Sequence, residues 1–198
     1  PLSRLRLHIE FIDNEKQQQE LKAEVVEMEK IIVSLLEAER LNSRHEALAR
    51  SEVRVRDLVD ELIDDFFQRD RDRIQVTDRS DGAIANIDEA RVSLLLKNLV
   101  SNALRYSPPD SGPVELILAV EGAELVLRVR DRGPGISPDE AEHIGEPFYR
   151  GDPSRTRDTG GTGLGLYLAT LVARAHGGSL RLLDTGEQGA CFEARLPL

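Results

Sequence analysis

Leu21, Val25, Met28, Ile32 and Leu35 recur at steps of four, three, four and three, and Leu2, Leu5, Ile9 and Ile12 at three, four and three. That alternation draws a straight apolar stripe down one side of an α-helix, and two such stripes in sequence predict helices packed side by side. The polar run Asp13-Asn14-Glu15-Lys16-Gln17-Gln18-Gln19 between them is expected to form the turn. A lone two-helix hairpin buries only one stripe per helix, so the expectation is a homodimer that completes a four-helix bundle. The alternative is that both stripes pack onto the rest of the chain.

The pattern changes after Asn42-Ser43-Arg44. Residues 57–68 read as an amphipathic helix, and 73–77 and 83–87 as short strands. Asp88 is placed to cap a long helix that ends at Tyr106, before Ser107-Pro108-Pro109. Residues 114–120 and 125–129 read as strands joined by Glu121-Gly122-Ala123-Glu124. A helix over 163–176 stops at Gly177-Gly178, and strands over 179–183 and 190–196 flank a turn at 186–189. Helices and strands mix without regular β-α-β alternation. The predicted fold class is therefore α+β: a two-helix hairpin over residues 1–46, then over 47–198 a sandwich in which helices cover one face of a mixed sheet.

Composition removes several functions. With 26 basic and 36 acidic residues the formal charge is −10, which opposes nucleic-acid phosphates and anionic lipid as partners. Five Phe, three Tyr and no Trp leave little for base stacking. No apolar run reaches the ~18–20 residues of a membrane span. The single cysteine, Cys191, has no partner within the chain for a disulfide.

Three segments carry chemistry. Asn98 and Asn102 are four apart on one helical face, where middling helix formers need a reason. Their amide oxygens suit Mg²⁺, which keeps several waters and shares substrate phosphates; both amides could equally bond only backbone or water. Asp131-Arg132-Gly133-Pro134-Gly135-Ile136 follows a strand, and such a turn lets a ligand approach the backbone while the carboxylate accepts from an amino group such as that of adenine. Thr159-Gly160-Gly161-Thr162-Gly163-Leu164-Gly165-Leu166 runs into a helix, so exposed N–H groups and the helix dipole favour phosphate. It lacks the Walker lysine and the dinucleotide spacing. Arg150, Arg155 and Arg157 just before it suit a phosphate-covering lid.

Together these segments resemble the sensor histidine kinases of two-component systems, with their GHKL (Bergerat) ATP-binding fold. Asn98 and Asn102 look like the family's asparagine box, Asp131-x-Gly133-x-Gly135 its first glycine box, Glu146-Pro147-Phe148-Tyr149-Arg150 its phenylalanine box, and Gly161-x-Gly163-x-Gly165 its second glycine box. The order and spacing agree across residues 88–178. The hairpin resembles the dimerisation and phosphotransfer domain, so the resemblance covers essentially the whole chain. It implies ATP and Mg²⁺ as cofactors, with Asn102 on the metal and Asn98 beside it at the metal or phosphates. Arg105 and Tyr106 would contact phosphates or ribose, and Asp131 the adenine amine, in a pocket shaped by Gly133, Gly135 and Ile136. Phe148 and Arg150 would belong to the lid, with Arg150 a candidate for the γ-phosphate. Gly161, Thr162, Gly163, Leu164, Gly165 and Leu166 would cover the triphosphate.

The resemblance also implies a response-regulator receiver domain as partner, and a cytoplasmic location joined to the bacterial inner membrane through segments outside this chain. The family's phosphoacceptor histidine stands five positions before the proline matched by Pro1, so these 198 residues are expected not to contain it or to autophosphorylate. His8 lies ~18 Å farther along the helix. His8, His45, His143 and His176 are read as structural or exposed, with His176 at a helix end where positive charge complements the dipole. Two alternatives remain: a GHKL ATPase that hydrolyses ATP, and a nucleotide-binding scaffold. The hydrolysing relatives place a glutamate base where Asn98 stands, and an amide cannot take a proton from water.

Overall fold

A computed structural model of the chain describes residues 2–12, 14–42, 47–150, 162–184 and 189–198. Helices α1 (Leu2–Ile9) and α2 (Glu15–Asn42) pack together, with Ile9 and Val25 buried between them. The turn is shorter than its polar sequence predicts, because Asn14 starts the second helix early. Its Oδ1 accepts the Gln17 N–H at 3.1 Å and its carbonyl the Gln18 N–H at 2.8 Å, while Gln18 Nε2 donates to Ile9 O at 3.1 Å. Gln17, Gln18 and Gln19 are therefore helical. Met28, Ile32 and Leu35 of the predicted seam remain 46%, 42% and 43% exposed in the single chain.

The second part opens with β1 (Ser51–Arg54) and α3 (Val55–Phe66), then a 3₁₀ helix (Gln68–Arg73), β2 (Ile74–Arg79), β3 (Ile84–Ile87) and α4 (Glu89–Tyr106). It continues with β4 (Val114–Glu121), β5 (Glu124–Arg130), the short α5 (Pro138–Ala141), α6 (Gly165–Ala175), β6 (Ser179–Asp184) and β7 (Cys191–Pro197). β1, the 3₁₀ turn and α5 are additions to the sequence reading; each spans six residues or fewer, too few to show a period. β1 pairs with β3, and the other five strands form a mixed sheet in the order β2-β4-β5-β7-β6, with β2 parallel to β4 and the remaining pairs antiparallel.

Alternation along the strands divides the sheet. Leu116, Leu118, Leu125, Leu127, Val129, Ala194 and Leu196 face a continuous core with α3, α4 and α6. The opposite face carries Arg128, Glu193 and Arg195, and nearly buried Glu193 receives Arg128 Nε at 2.7 Å and Arg195 Nε at 2.6 Å. α6 ends in a Schellman motif: Gly177 N–H donates to Arg174 O and Gly178 N–H to Ala173 O, both at 2.9 Å, with Gly177 at φ +82°. Among the described residues no helix is long and apolar enough to cross a membrane.

Candidate functional site

α4 is the spine of the site. Its N-cap Asp88 accepts the Arg91 N–H through Oδ1 at 3.2 Å, as its sequence position predicts. Leu95, Leu96, Leu99, Val100 and Ala103 lock the helix into the core. Asn98 and Asn102 are half-buried along the edge of that packed face. Asn98 Nδ2 donates to Leu94 O at 2.9 Å, so the backbone partner considered at sequence level is real for the amide nitrogen. Oδ1 remains, and it faces the start of α6: a Cβ on Gly165 would stand 3.0 Å from it. The site thus sets an amide oxygen against a helix N-terminus, where unpaired N–H groups and the dipole gather partial positive charge. The Asn102 side chain makes no hydrogen bond to any other described residue, leaving its oxygen available.

The turn after β5 forms the opposite wall. Asp131 is buried, and its Oδ1 accepts Gly133 N–H at 2.8 Å and Ala190 N–H at 3.0 Å. Its own N–H donates to Ala190 O at 2.9 Å. Oδ2 accepts nothing from the described residues and is the atom left for a ligand. Burial raises the carboxyl above its usual range, while the two backbone donors and Arg130 pull it down. Glycine is required on both sides of this carboxylate. A Cβ on Gly133 would lie 2.9 Å from Tyr106 O, and one on Gly189, itself at φ +96°, would lie 2.2 Å from Asp131 O. Gly135 turns at φ +80°, and Ile136 is half-buried beside it.

Phe148 and Gly163 are latched together. Phe148 N–H donates to Gly163 O at 3.0 Å, with Phe148 at φ +65° and Gly163 at φ +70°. A Cβ on Gly163 would come within 2.8 Å of the Phe148 backbone. The Phe148 ring is 55% exposed, and Arg105, Tyr106 and Arg150 are exposed as well. Thr162 Oγ1 accepts Leu164 N–H at 3.3 Å; Leu164 is buried and Leu166 packs against the core. Gly161, Arg155 and Arg157 lie outside the described residues, as do His45 and most of the predicted turn at 186–189.

Two contacts thus reach α4, Gly165 at Asn98 and Gly133 at Tyr106 O, and Asp131 is held to the second through Gly133. Sequence reasoning missed Ala190 and Ser107. In the sequence Ala190 follows a glycine that reads only as part of a turn, and Ser107 reads only as a helix stop, although its place immediately after the asparagine-bearing helix is a signal. The expectation of a charged His176 is corrected. The ring is 2% exposed; Nδ1 donates to Val172 O at 2.8 Å and Nε2 accepts the Asp88 N–H at 3.1 Å, which fixes the neutral tautomer. Burial lowers its pKa. His143 is exposed, and Glu146, 3.1 Å away, raises its pKa.

Among the described residues no group of three or more His, Cys, Asp and Glu is placed to hold a metal ion, and at the Asn98–Asn102 face the donors a divalent cation would find are amide oxygens and a ligand's phosphates. A cleft of about 430 Å³ lies elsewhere, between α3 and the start of α4, and its Glu61, Asp65 and Glu89 walls repel polyphosphate.

Residues 87–198 match the histidine kinase-, DNA gyrase B-, and HSP90-like ATPase family. The chain is 37% identical over 202 residues to the sensor protein RstB of Escherichia coli strain K12, spanning all of this chain and 46% of that protein. It is 42% identical over 118 residues to the sensor histidine kinase MtrB of Mycobacterium leprae, covering 60% of this chain and 21% of the relative. It thus spans less than half the length of these relatives. The Acinetobacter baumannii histidine kinase AdeS shares the fold, with a TM-score of 0.75 at 20% identity over 99% of this chain and 92% of that one. Full-length ShkA in complex with AMPPNP gives a TM-score of 0.74 at 24% identity, over 94% of this chain and 40% of ShkA.

Proposed function

Because the chain belongs to the histidine kinase-, DNA gyrase B-, and HSP90-like ATPase family, on its sensor histidine kinase side, we propose that it is the ATP-binding core of a two-component sensor kinase. In this reading residues 47–198 bind ATP, and residues 1–46 are the dimerisation and phosphotransfer hairpin without its phosphoacceptor motif. The observation that carries it is the apposition of Asn98 Oδ1 to the first residue of α6. In this reading the face that would bind the metal stands against the helix start that would bind phosphate.

Asp131 Oδ2 accepts the adenine amine, with Oδ1 held by Gly133 and Ala190. Asn102 would hold Mg²⁺ with Asn98 beside it, and the ion, when bound, would neutralise charge on the phosphates. The N–H groups at the start of α6, approached through Gly163 and Gly165, donate to the phosphate oxygens. Arg105, Tyr106, Phe148 and Arg150 border the same space. Positioning and charge stabilisation then direct the γ-phosphoryl to a histidine acceptor, for relay to a response-regulator aspartate. Hydrolysis to water is not favoured, because Asn98 offers an amide where a general base is needed. The exposed stripe of Met28, Ile32 and Leu35 is the surface for a second copy.

Asp131→Asn tests the reading. It replaces an acceptor oxygen by a donor amide and is expected to weaken ATP by about 1–3 kcal/mol. GTP offers an acceptor at the amine position and should bind the unaltered protein poorly. Equal affinity for ATP and GTP, measured by calorimetric titration, would remove Asp131 from the base contact.

A further inference from the structure

Ser107 is the residue at which the two walls of the site meet. It follows α4 directly, is 4% exposed, and has all three of its polar groups placed. Its N–H donates to Ala103 O at 3.0 Å, closing the last turn of α4. Its carbonyl accepts Arg73 Nη2 at 3.0 Å, and the same nitrogen reaches Leu104 O at 3.3 Å. Its Oγ accepts the backbone N–H of Arg132 at 2.9 Å. Pro108 disfavours the helical region for the residue before it, and Ser107 sits at φ −80°, ψ 121°. The hydroxyl is therefore presented from a fixed backbone.

Arg132 stands between Asp131 and Gly133, whose N–H orients the Asp131 carboxylate. The turn is drawn so near the end of α4 that any Cβ on Gly133 would crowd Tyr106 O. Arg132 adds a second clamp through its side chain, which pairs with Glu115. The helix that carries Asn98 and Asn102 and the turn that carries Asp131 thus share one short bridge, and its length is set by a serine side chain.

We propose that Ser107 is a positioning residue for nucleotide recognition: its hydroxyl, carried on a backbone that Arg73 holds at the carbonyl, fixes the adenine-binding turn at a set distance from the metal-binding face of α4. This rests on the assignment of Asp131 to the adenine amine. Removing the hydroxyl frees the Arg132 N–H and lets the Asp131 turn move relative to α4. Base recognition loosens, while contacts to the phosphates, made from α4 and α6, remain.

The test uses the full chain with Mg²⁺ and three probes: ATP, GTP and inorganic triphosphate, which has no base. Ser107→Ala is expected to weaken ATP about five- to tenfold, the usual scale for one lost hydrogen bond, to narrow the ATP-over-GTP preference, and to leave triphosphate within about twofold. Ser107→Thr keeps the hydroxyl and should restore ATP affinity. In an Asp131→Asn background, adding Ser107→Ala should have little further effect on ATP. If Ser107→Ala does not fold, Ser107→Cys, nearly isosteric with a weak acceptor sulfur, is read in its place. A lowered melting temperature with unchanged ATP affinity and base preference would make Ser107 merely structural, and triphosphate weakened as much as ATP would overturn the base-specific role. Equal binding of ATP and GTP by the unaltered protein is a different result, since it removes the Asp131 assignment itself and this inference with it.

Discussion

Along the 28 residues of α2 only Val25 and Ala38 are buried, whereas the 18 residues of α4 bury seven apolar side chains. Both helices have apolar periodicity, so pattern alone does not separate them. What differs is the partner. α4 lies between the sheet, α3 and α6 and meets apolar atoms on most sides, while α2 meets α1 on one side and the start of α6 near its end, where Ala38 joins Leu168 and Leu171. The α/β unit is thus stabilised by its own core. The helical pair keeps an apolar stripe, Met28, Ile32 and Leu35, that the single chain leaves exposed.

The largest way to break this contrast is Leu99→Ala in α4. A fully buried leucine cut to alanine should cost about 2–5 kcal/mol, read as a lower urea midpoint of the α/β unit, with the oligomeric state of the folded protein unchanged. Ile32→Asp should do the reverse, giving monomers by sedimentation with ATP affinity kept. An unaltered protein that sediments as a monomer at tens of micromolar would end the bundle assignment. Between the two regions, Ala49 N–H donates to Asp88 Oδ2 at 3.0 Å and Arg50 Nη2 to His176 O at 3.2 Å, so the entering chain is tied to Asp88 and His176 together.

His176 gives that joint a pH dependence. Its native pKa lies below the ordinary ~6.5, so on acidification the unfolded chain takes the proton first. Its contribution is whole above ~6.5 and declines as pH falls towards the native value, by at most about 1.4 kcal/mol per pH unit. Arg50, Asp88 and Arg91 are the charged groups acting on it. Urea melts at pH 7.5 and 5.5 should show this loss, and His176→Gln should reduce it. His143 runs oppositely: its raised pKa gives a contribution present at acid pH and lost as pH climbs through the native value. The smallest effect is expected from Arg40→Ala, which removes an exposed pair with Glu37 and should change stability by less than ~0.5 kcal/mol.

The periodic and capped parts were legible in the sequence. Asp88, the length of α4 and the glycines at its neighbours' ends follow from local rules that hold in any context. The asparagine and glycine motifs were legible through their spacing. Ser107 and Ala190 were not, because their roles depend on partners 25 and 59 residues away that only tertiary pairing brings near. The first turn was misjudged for a simpler reason: glutamines are polar enough for a loop yet good helix formers, and Asn14 offered them a start.

The place of β7 in the sheet has a consequence for biosynthesis. It lies between β5 and β6, although it is the last of the strands to be made, and the residue just before it supplies half the clasp on Asp131. On a ribosome adding ~5–20 residues per second, β4 and β5 can pair seconds before Ala190 exists. Until then Asp131 lacks one of its two backbone donors, and the sheet ends at β5 with an unpaired edge. A nascent chain therefore carries Asn98, Asp131 and Gly163 before the second donor to Asp131 is in place.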